Sequence, residues 1–144
     1  MKIRTGSYNN VAEAEAYINM VRSFYGQKPG FAYYFSDLQK GLAYTLADPH
    51  QQHTCVVAES HEGLLAHVLL IVDDRLPAGQ AFFGFFECME KPGVFQGLWQ
   101  KLTVLAKKKS IRLLHGPVNG SVWHSYRVVE KGIPHYPPFS SEPL

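Results

Sequence analysis

Hydrophobic and polar positions change period several times along the chain, and each change marks an element. Lys2–Gly6 reads as a short first strand. Val11, Ala14, Ile18, Val21 and Tyr25 then recur at helical spacing. Asn9 and Asn10 are N-cap residues for that helix, Glu13 stands in capping-box position after Asn10, and Gly26 is a natural stop. Phe31, Tyr34, Phe35, Leu38 and Leu42 predict a second helix over 31–46, weakened at Gly41 and ended by Asp48-Pro49. The polar stretch from there to His53 reads as loop.

Strands follow. Thr54–Ala58 and Leu64–Val72 flank the turn residues Glu59–Gly63 and predict an antiparallel hairpin. Asp73, Asp74, Pro77 and Gly79 make a second turn before QAFFGFFECM, Gln80–Met89. Both faces of that strand are apolar, as in a central strand covered on both sides. Pro92-Gly93 opens a strong helix in which Val94, Leu98, Leu102 and Leu105 form the stripe and Phe95, Trp99 and Ala106 widen it. Lys107, Lys108 and Lys109 close it, where cations complement the helix dipole. Ile111–His115 is a further core strand, and the order strand, helix, strand makes it a parallel neighbour of Gln80–Met89. From Asn119 to Leu144 the breakers Gly120, Gly132, Pro134, Pro137 and Pro138 predict mostly loop.

Composition narrows the class and leaves the chemistry open. A chain of 144 residues, 46% hydrophobic, suits a single domain, 1–144, with a sizeable core. Fourteen basic against twelve acidic residues give a net charge of +2, too weak and too dispersed for a dedicated nucleic-acid binder. Phe83-Gly84-Phe85 also fails the aromatic RNA-binding signature, because Ala81 and Phe82 occupy its basic and glycine positions. The first twenty residues lack a secretory apolar core, and no apolar run is long enough to span a membrane. The expectation is a cytoplasmic protein without membrane or nucleic-acid partners, with Cys55 and Cys88 as buried thiols. The seven histidines show no metal-ligand spacing, so no metal is expected.

Candidate chemistry gathers near the end of the aromatic strand. Simple alternation places Glu87 on one face with Phe83, Phe85 and Met89, and Cys88 on the other with Phe82, Gly84 and Phe86. A carboxylate on an apolar face has a raised pKa suited to a general base; the other reading is that the strand has reached the surface by residue 87. Gly84 marks a bulge, a close ligand approach, or a packing gap opposite a large side chain. Asn119, Ser121, Trp123, His124, Tyr126 and Arg127 follow the carboxyl end of a parallel strand, where open α/β sheets bind ligands. The alternative is a loop that packs its own Trp and Tyr.

FFGFFECME (82–90), the helix after it, HGPVNGSVWHSYR (115–127) and PPFSSEP (137–143) together resemble an uncharacterised branch of the GNAT superfamily of acyl-CoA N-acyltransferases. The order of elements agrees. The resemblance implies an α/β (mixed α+β) fold with a central mixed sheet and flanking helices. It implies acyl transfer from acetyl-CoA or another acyl-CoA to an amine. Glu87 would be the catalytic base, while Phe86, Cys88, Met89, Gly93, Val94 and Asn119 would hold the acyl-CoA. Trp123, His124, Tyr126 and Arg127 would face the acceptor amine.

Two features depart from the family pattern. EKPGVFQG (90–97) lacks the usual Gly-x-Gly/Ala of the pyrophosphate loop, its Pro92 has no N–H, and Glu90 adds negative charge. The chain also ends before the last helix and two strands expected of relatives, so the fold is expected to be C-terminally shortened. A non-catalytic binding or interaction domain is therefore the alternative to an acyltransferase. The shortened sheet leaves Ile111–His115 as an edge, and a homodimer covering it is expected.

Overall fold

The computed structural model describes residues 1–120 and contains a five-stranded sheet covered by helices on both faces. The strands are β1 (Lys2–Gly6), β2 (Gln51–Ser60), β3 (Gly63–Asp73), β4 (Gln80–Cys88) and β5 (Leu113–His115), arranged in chain order. The first four pair antiparallel, and β5 joins β4 parallel. The helices are α1 (Glu15–Tyr25), α2 (Phe31–Ala47) and α3 (Val94–Lys108). The crossover from β4 through α3 to β5 explains the one parallel pairing. The fold is thus mixed α/β.

Side-chain alternation on β3 divides the core. Val68 and Leu70 face α3 with Val56, Ala58 and Ala81, packing on Leu98, Leu102 and Ala106. Leu69 and Ile71 face α1 and α2 with Cys55, packing on Tyr17, Ile18, Val21, Leu38 and Leu42. Burial on both sides is why β3 reads as an almost unbroken apolar run. Each fully buried Leu in these layers contributes about 2 kcal/mol.

Several boundaries differ from the sequence pattern, each for a local reason. Residues Val11–Ala14 form a 3-10 turn before α1. Asn10 caps the Glu13 N–H as expected, but the Glu13 carboxylate reaches back to the Asn9 N–H (2.8 Å). β2 begins at Gln51, inside the polar stretch read as loop, because ladder pairing with the long β3 continues to Asp73. Only His61 and Glu62 separate β2 from β3, so the hairpin turn is tighter than the Gly/Ser content implied. β5 begins at Leu113, since Ile111 is buried in the core ahead of the strand. Both cysteines are free; Cys55 is buried, but Cys88 is half-buried rather than enclosed.

The largest departure is in β4. Leu69 pairs with Gly84 and His67 with Glu87, so Phe85 and Phe86 together oppose Val68. This is a bulge, with Phe85 at φ 50°. The extra residue changes the facing of all that follows. Phe82, Phe85 and Glu87 turn to the α1/α2 side, while Phe83, Phe86, Cys88 and Met89 turn to the α3 side. Glu87 therefore does not share a face with Phe83 and Met89, and Cys88 does not share one with Phe82. Strict alternation fails because it assumes one residue per rung.

Beyond β5 the chain crosses back over β4. Val118 donates its N–H to the Phe83 carbonyl (2.8 Å), and Gln51 Nε2 donates to the Gly120 carbonyl (2.9 Å). Gln51 also donates to Asp73 (2.8 Å), whose carboxylate is ion-paired with Arg75 (2.6 Å); Arg75 in turn holds Asp48 (2.7 Å). Gly84 is where the crossing occurs. A Cβ there would collide with the Val118 carbonyl oxygen. Of the readings offered by sequence, the bulge lies at the residues that follow Gly84, and the group that approaches the Gly84 backbone is the chain's own and not a ligand.

Candidate functional site

Glu87 lies on the α1/α2 side of β4 and is 8% exposed. The Tyr25 hydroxyl, at the end of α1, donates to Oε2 (2.9 Å), and the Tyr34 hydroxyl, in the first turns of α2, donates to Oε1 (3.3 Å). Both tyrosines sit on the apolar stripes that fold their helices onto the sheet, and their rings meet edge to face at 5.8 Å. Burial raises the Glu87 pKa from its ordinary 4.5 to about 7, against the opposing pull of the two hydroxyls. The surface reading of Glu87 is thereby overturned: the carboxyl is enclosed at the strand end. Burial beside this carboxyl also pushes both tyrosines above their ordinary range.

His67 is the cross-strand partner of Glu87 and is wholly buried. Its ring stacks on Tyr17 at 3.9 Å and on Tyr8 at 5.9 Å. Nδ1 lies 2.7 Å from the Phe85 carbonyl oxygen. A carbonyl only accepts, so Nδ1 carries the proton. Burial pushes the imidazole pKa down to about 4, outweighing the carbonyl bond, and His67 is neutral at pH 7. Residue spacing placed Tyr25 and Tyr34 on helix stripes but marked neither of them, nor His67, as a site residue. The one visible signal was a lone histidine inside the apolar run of β3.

These two groups have opposite linkage. Native Glu87 keeps a proton that the unfolded chain loses between pH 4.5 and about 7, so its contribution falls as pH rises through that window. Native His67 lacks a proton that the unfolded chain holds below 6.5, so its contribution rises with pH between about 4 and 6.5. Each slope is about 1.4 kcal/mol per pH unit, and they largely cancel where the windows overlap. Glu87→Gln is expected to expose the His67 slope. In urea denaturation the variant gains on the wild type from pH 4.5 upwards, reaching about 3 kcal/mol above pH 7. A stability difference that does not vary with pH would mean that Glu87 ionises normally.

The acyl-CoA candidates separate in space. Phe86, Cys88 and Met89 pack on the α3 side, with Phe86 edge-on to Phe95 at 6.1 Å. The Met89 N–H is donated to Leu65 O (2.9 Å), so it belongs to the β3 ladder. By antiparallel alternation the backbone groups of Phe86 and Cys88 then point away from β3, towards the side on which β5 lies. Among the described residues β5 pairs with β4 only at Gln80–Phe82, which leaves that length of β4 edge without a strand. Asn119 lies at the same edge, its Oδ1 accepting the Phe85 N–H (2.6 Å).

Gly93 is the N-cap of α3 at φ 80°, and the Val94 side chain is 3% exposed in the core. The Val94 N–H is donated to Lys91 O (3.3 Å). Gly97 makes room for the ends of Ile3 and Met1 rather than for a ligand. Trp123, His124, Tyr126 and Arg127 lie outside the described residues.

A groove of about 380 Å³ runs beside α1, floored by Met20, Phe24, Leu64, Leu65 and Met89; Glu87 is not among its walls. Among the described residues no cluster of three metal-ligating side chains occurs, and no helix is long and apolar enough to cross a membrane. Comparison of the chain with protein-family models, with curated proteins and with solved structures finds no match in any of the three.

Proposed function

We propose that the chain is an acyl-CoA-dependent N-acyltransferase of GNAT type, with Glu87 as general base. The observation that carries this reading is a buried carboxyl, its pKa pushed up to about 7 by desolvation, that directly follows a bulge on an edge of β4 with no strand partner among the described residues. A carboxylate ionising near neutrality removes a proton from an ammonium group most effectively near the working pH. The outward backbone of Phe86 and Cys88 suits the amide groups of a pantetheine arm, and an N–H there suits the thioester carbonyl as oxyanion charge develops.

In the reaction an acceptor ammonium gives its proton to Glu87. The free amine attacks the thioester carbonyl, the C–N bond forms, and the C–S bond breaks. The CoA thiolate leaves and takes up a proton released from the new amide nitrogen. Reduced surroundings for Cys55 and Cys88, and a second copy across the β5 edge, belong to the same reading.

Calorimetric titration with acetyl-CoA, longer acyl-CoAs and free CoA tests the proposal. Binding of an acyl-CoA in the micromolar range, competed by CoA, is expected. No heat at millimolar ligand would sink it.

A second reading, a non-catalytic interaction domain, is favoured by the start of α3. There Gly97 serves packing against Met1 and Ile3, Pro92 has no N–H, and Glu90 is exposed where pyrophosphate would approach. Acyl-CoA that binds but is never turned over with any amine supports this second reading.

A further inference from the structure

We propose that His67 is a positioning residue: by donating Nδ1–H to the Phe85 carbonyl it holds the β4 bulge in the form that turns Glu87 towards Tyr25 and Tyr34 and directs the Phe86 and Cys88 backbone away from β3. The use of that geometry in catalysis rests on the acyltransferase reading; the clamp itself does not.

The bulge needs holding. Phe85 is a bulky residue at φ 50°, in the left-handed region, where a non-glycine residue costs roughly 1–2 kcal/mol. Neither of the two bonds recorded for its main-chain polar groups is an ordinary rung. The N–H goes to Asn119 Oδ1 at 2.6 Å and the carbonyl to His67 Nδ1 at 2.7 Å, so side chains grip the residue from both ends. Loss of the bulge would slip the strand end by one residue. Because strand facing has period two, Glu87 would turn to the α3 side and Phe86 and Cys88 would turn inwards.

A second observation shows what the imidazole is for. His67 Nε2 is buried and has no hydrogen-bond partner among the described residues. An unpaired buried acceptor costs about 1–3 kcal/mol, so leucine or phenylalanine would suit this place on β3 better were packing the only demand. The Nδ1 bond to the bulge is the compensating interaction. Asn119 is the weaker candidate for this role because its segment is already tied down through Val118 and Gly120.

The readout is the titration of the Glu87 carboxyl, followed by NMR on glutamate-labelled protein without acyl-CoA and assigned with Glu87→Gln. The groups around it are Tyr17, Tyr25, Tyr34, His67 and Cys88, and none of the others is altered. His67→Asn places an amide N–H at the Nδ1 position and is expected to keep the Glu87 midpoint. His67→Leu and His67→Gln lack a donor there; both are expected to move the midpoint by about one unit or more, since its enclosure is lost.

The proposal is overturned if folded His67→Leu keeps the wild-type midpoint. Should His67→Leu fail to fold, the Asn and Gln variants decide: equal midpoints in the two overturn it, and retention by Asn alone supports it. A protein that shows no acyl transfer at all leaves this titration intact, so failure of the functional reading is recognised separately.

Discussion

Glu87→Gln is expected to lower acyl transfer by about 10²–10⁴-fold, the range for removing a positioned general base, with little change in acyl-CoA affinity. Gln keeps the volume of Glu and can still accept from Tyr25 and donate to Tyr34, so the pocket is preserved while the proton acceptor is lost. The wild-type rate should rise with pH through a midpoint near 7, because only ionised Glu87 takes a proton. The variant should lose that limb. The same substitution should leave the protein more stable at alkaline pH, since the buried charge is gone. A fall in rate together with a rise in stability distinguishes a lost base from a damaged fold. A rate unchanged by the substitution would remove Glu87 from the chemistry.

The second large effect concerns Gly84. Gly84→Ala is expected to destabilise the protein by about 3 kcal/mol or more, seen as a fall in Tm of about 10 °C. The new Cβ would strike the Val118 carbonyl oxygen and lie 3.1 Å from Asn119 Cα, and both are backbone that cannot swing away. Moving the crossing segment aside endangers the Val118–Phe83, Asn119–Phe85 and Gln51–Gly120 hydrogen bonds together. Gly97→Ala is the matched control. Its Cβ would meet the flexible ends of Ile3 (2.8 Å) and Met1 (3.0 Å), and α3 gains helix propensity of about 1 kcal/mol from the change. That variant should be close to neutral. Similar melting temperatures for the two alanine variants would mean that the chain does not cross β4 at Gly84.

Much of the fold was readable because its elements carry strong, uninterrupted periods. Val94, Leu98 and Leu102 of the α3 stripe are buried as the spacing implied, with Ala106 rather than Leu105 as the fourth buried position, and the parallel pairing of β4 and β5 followed from the crossover alone. The polar start of β2 was not readable. Gln51, Gln52 and His53 have loop composition, and only the ladder to Ile71–Asp73 makes them strand. Within the site, Glu87 was visible as a carboxylate in an aromatic strand, yet its neighbours were assigned by an alternation that Phe85 breaks. A bulge has no composition of its own; Gly84 marked the neighbourhood without naming the residue.

Local patterns thus settle most of the helices and strands, the polar start of β2 excepted, because periodicity and breakers act over a few residues. They also place an acidic group at the end of a buried strand. Which face that group takes, and which hydroxyls meet it, depends on contacts between residues far apart: Glu87 with Tyr25 and Tyr34, His67 with Phe85, and Asn119 with the Phe85 N–H. One extra residue on β4 reverses the facing of everything beyond it. The carboxyl acquires its near-neutral pKa only when α1, α2 and the sheet close around it, since desolvation belongs to the assembled layers and not to any stretch of chain.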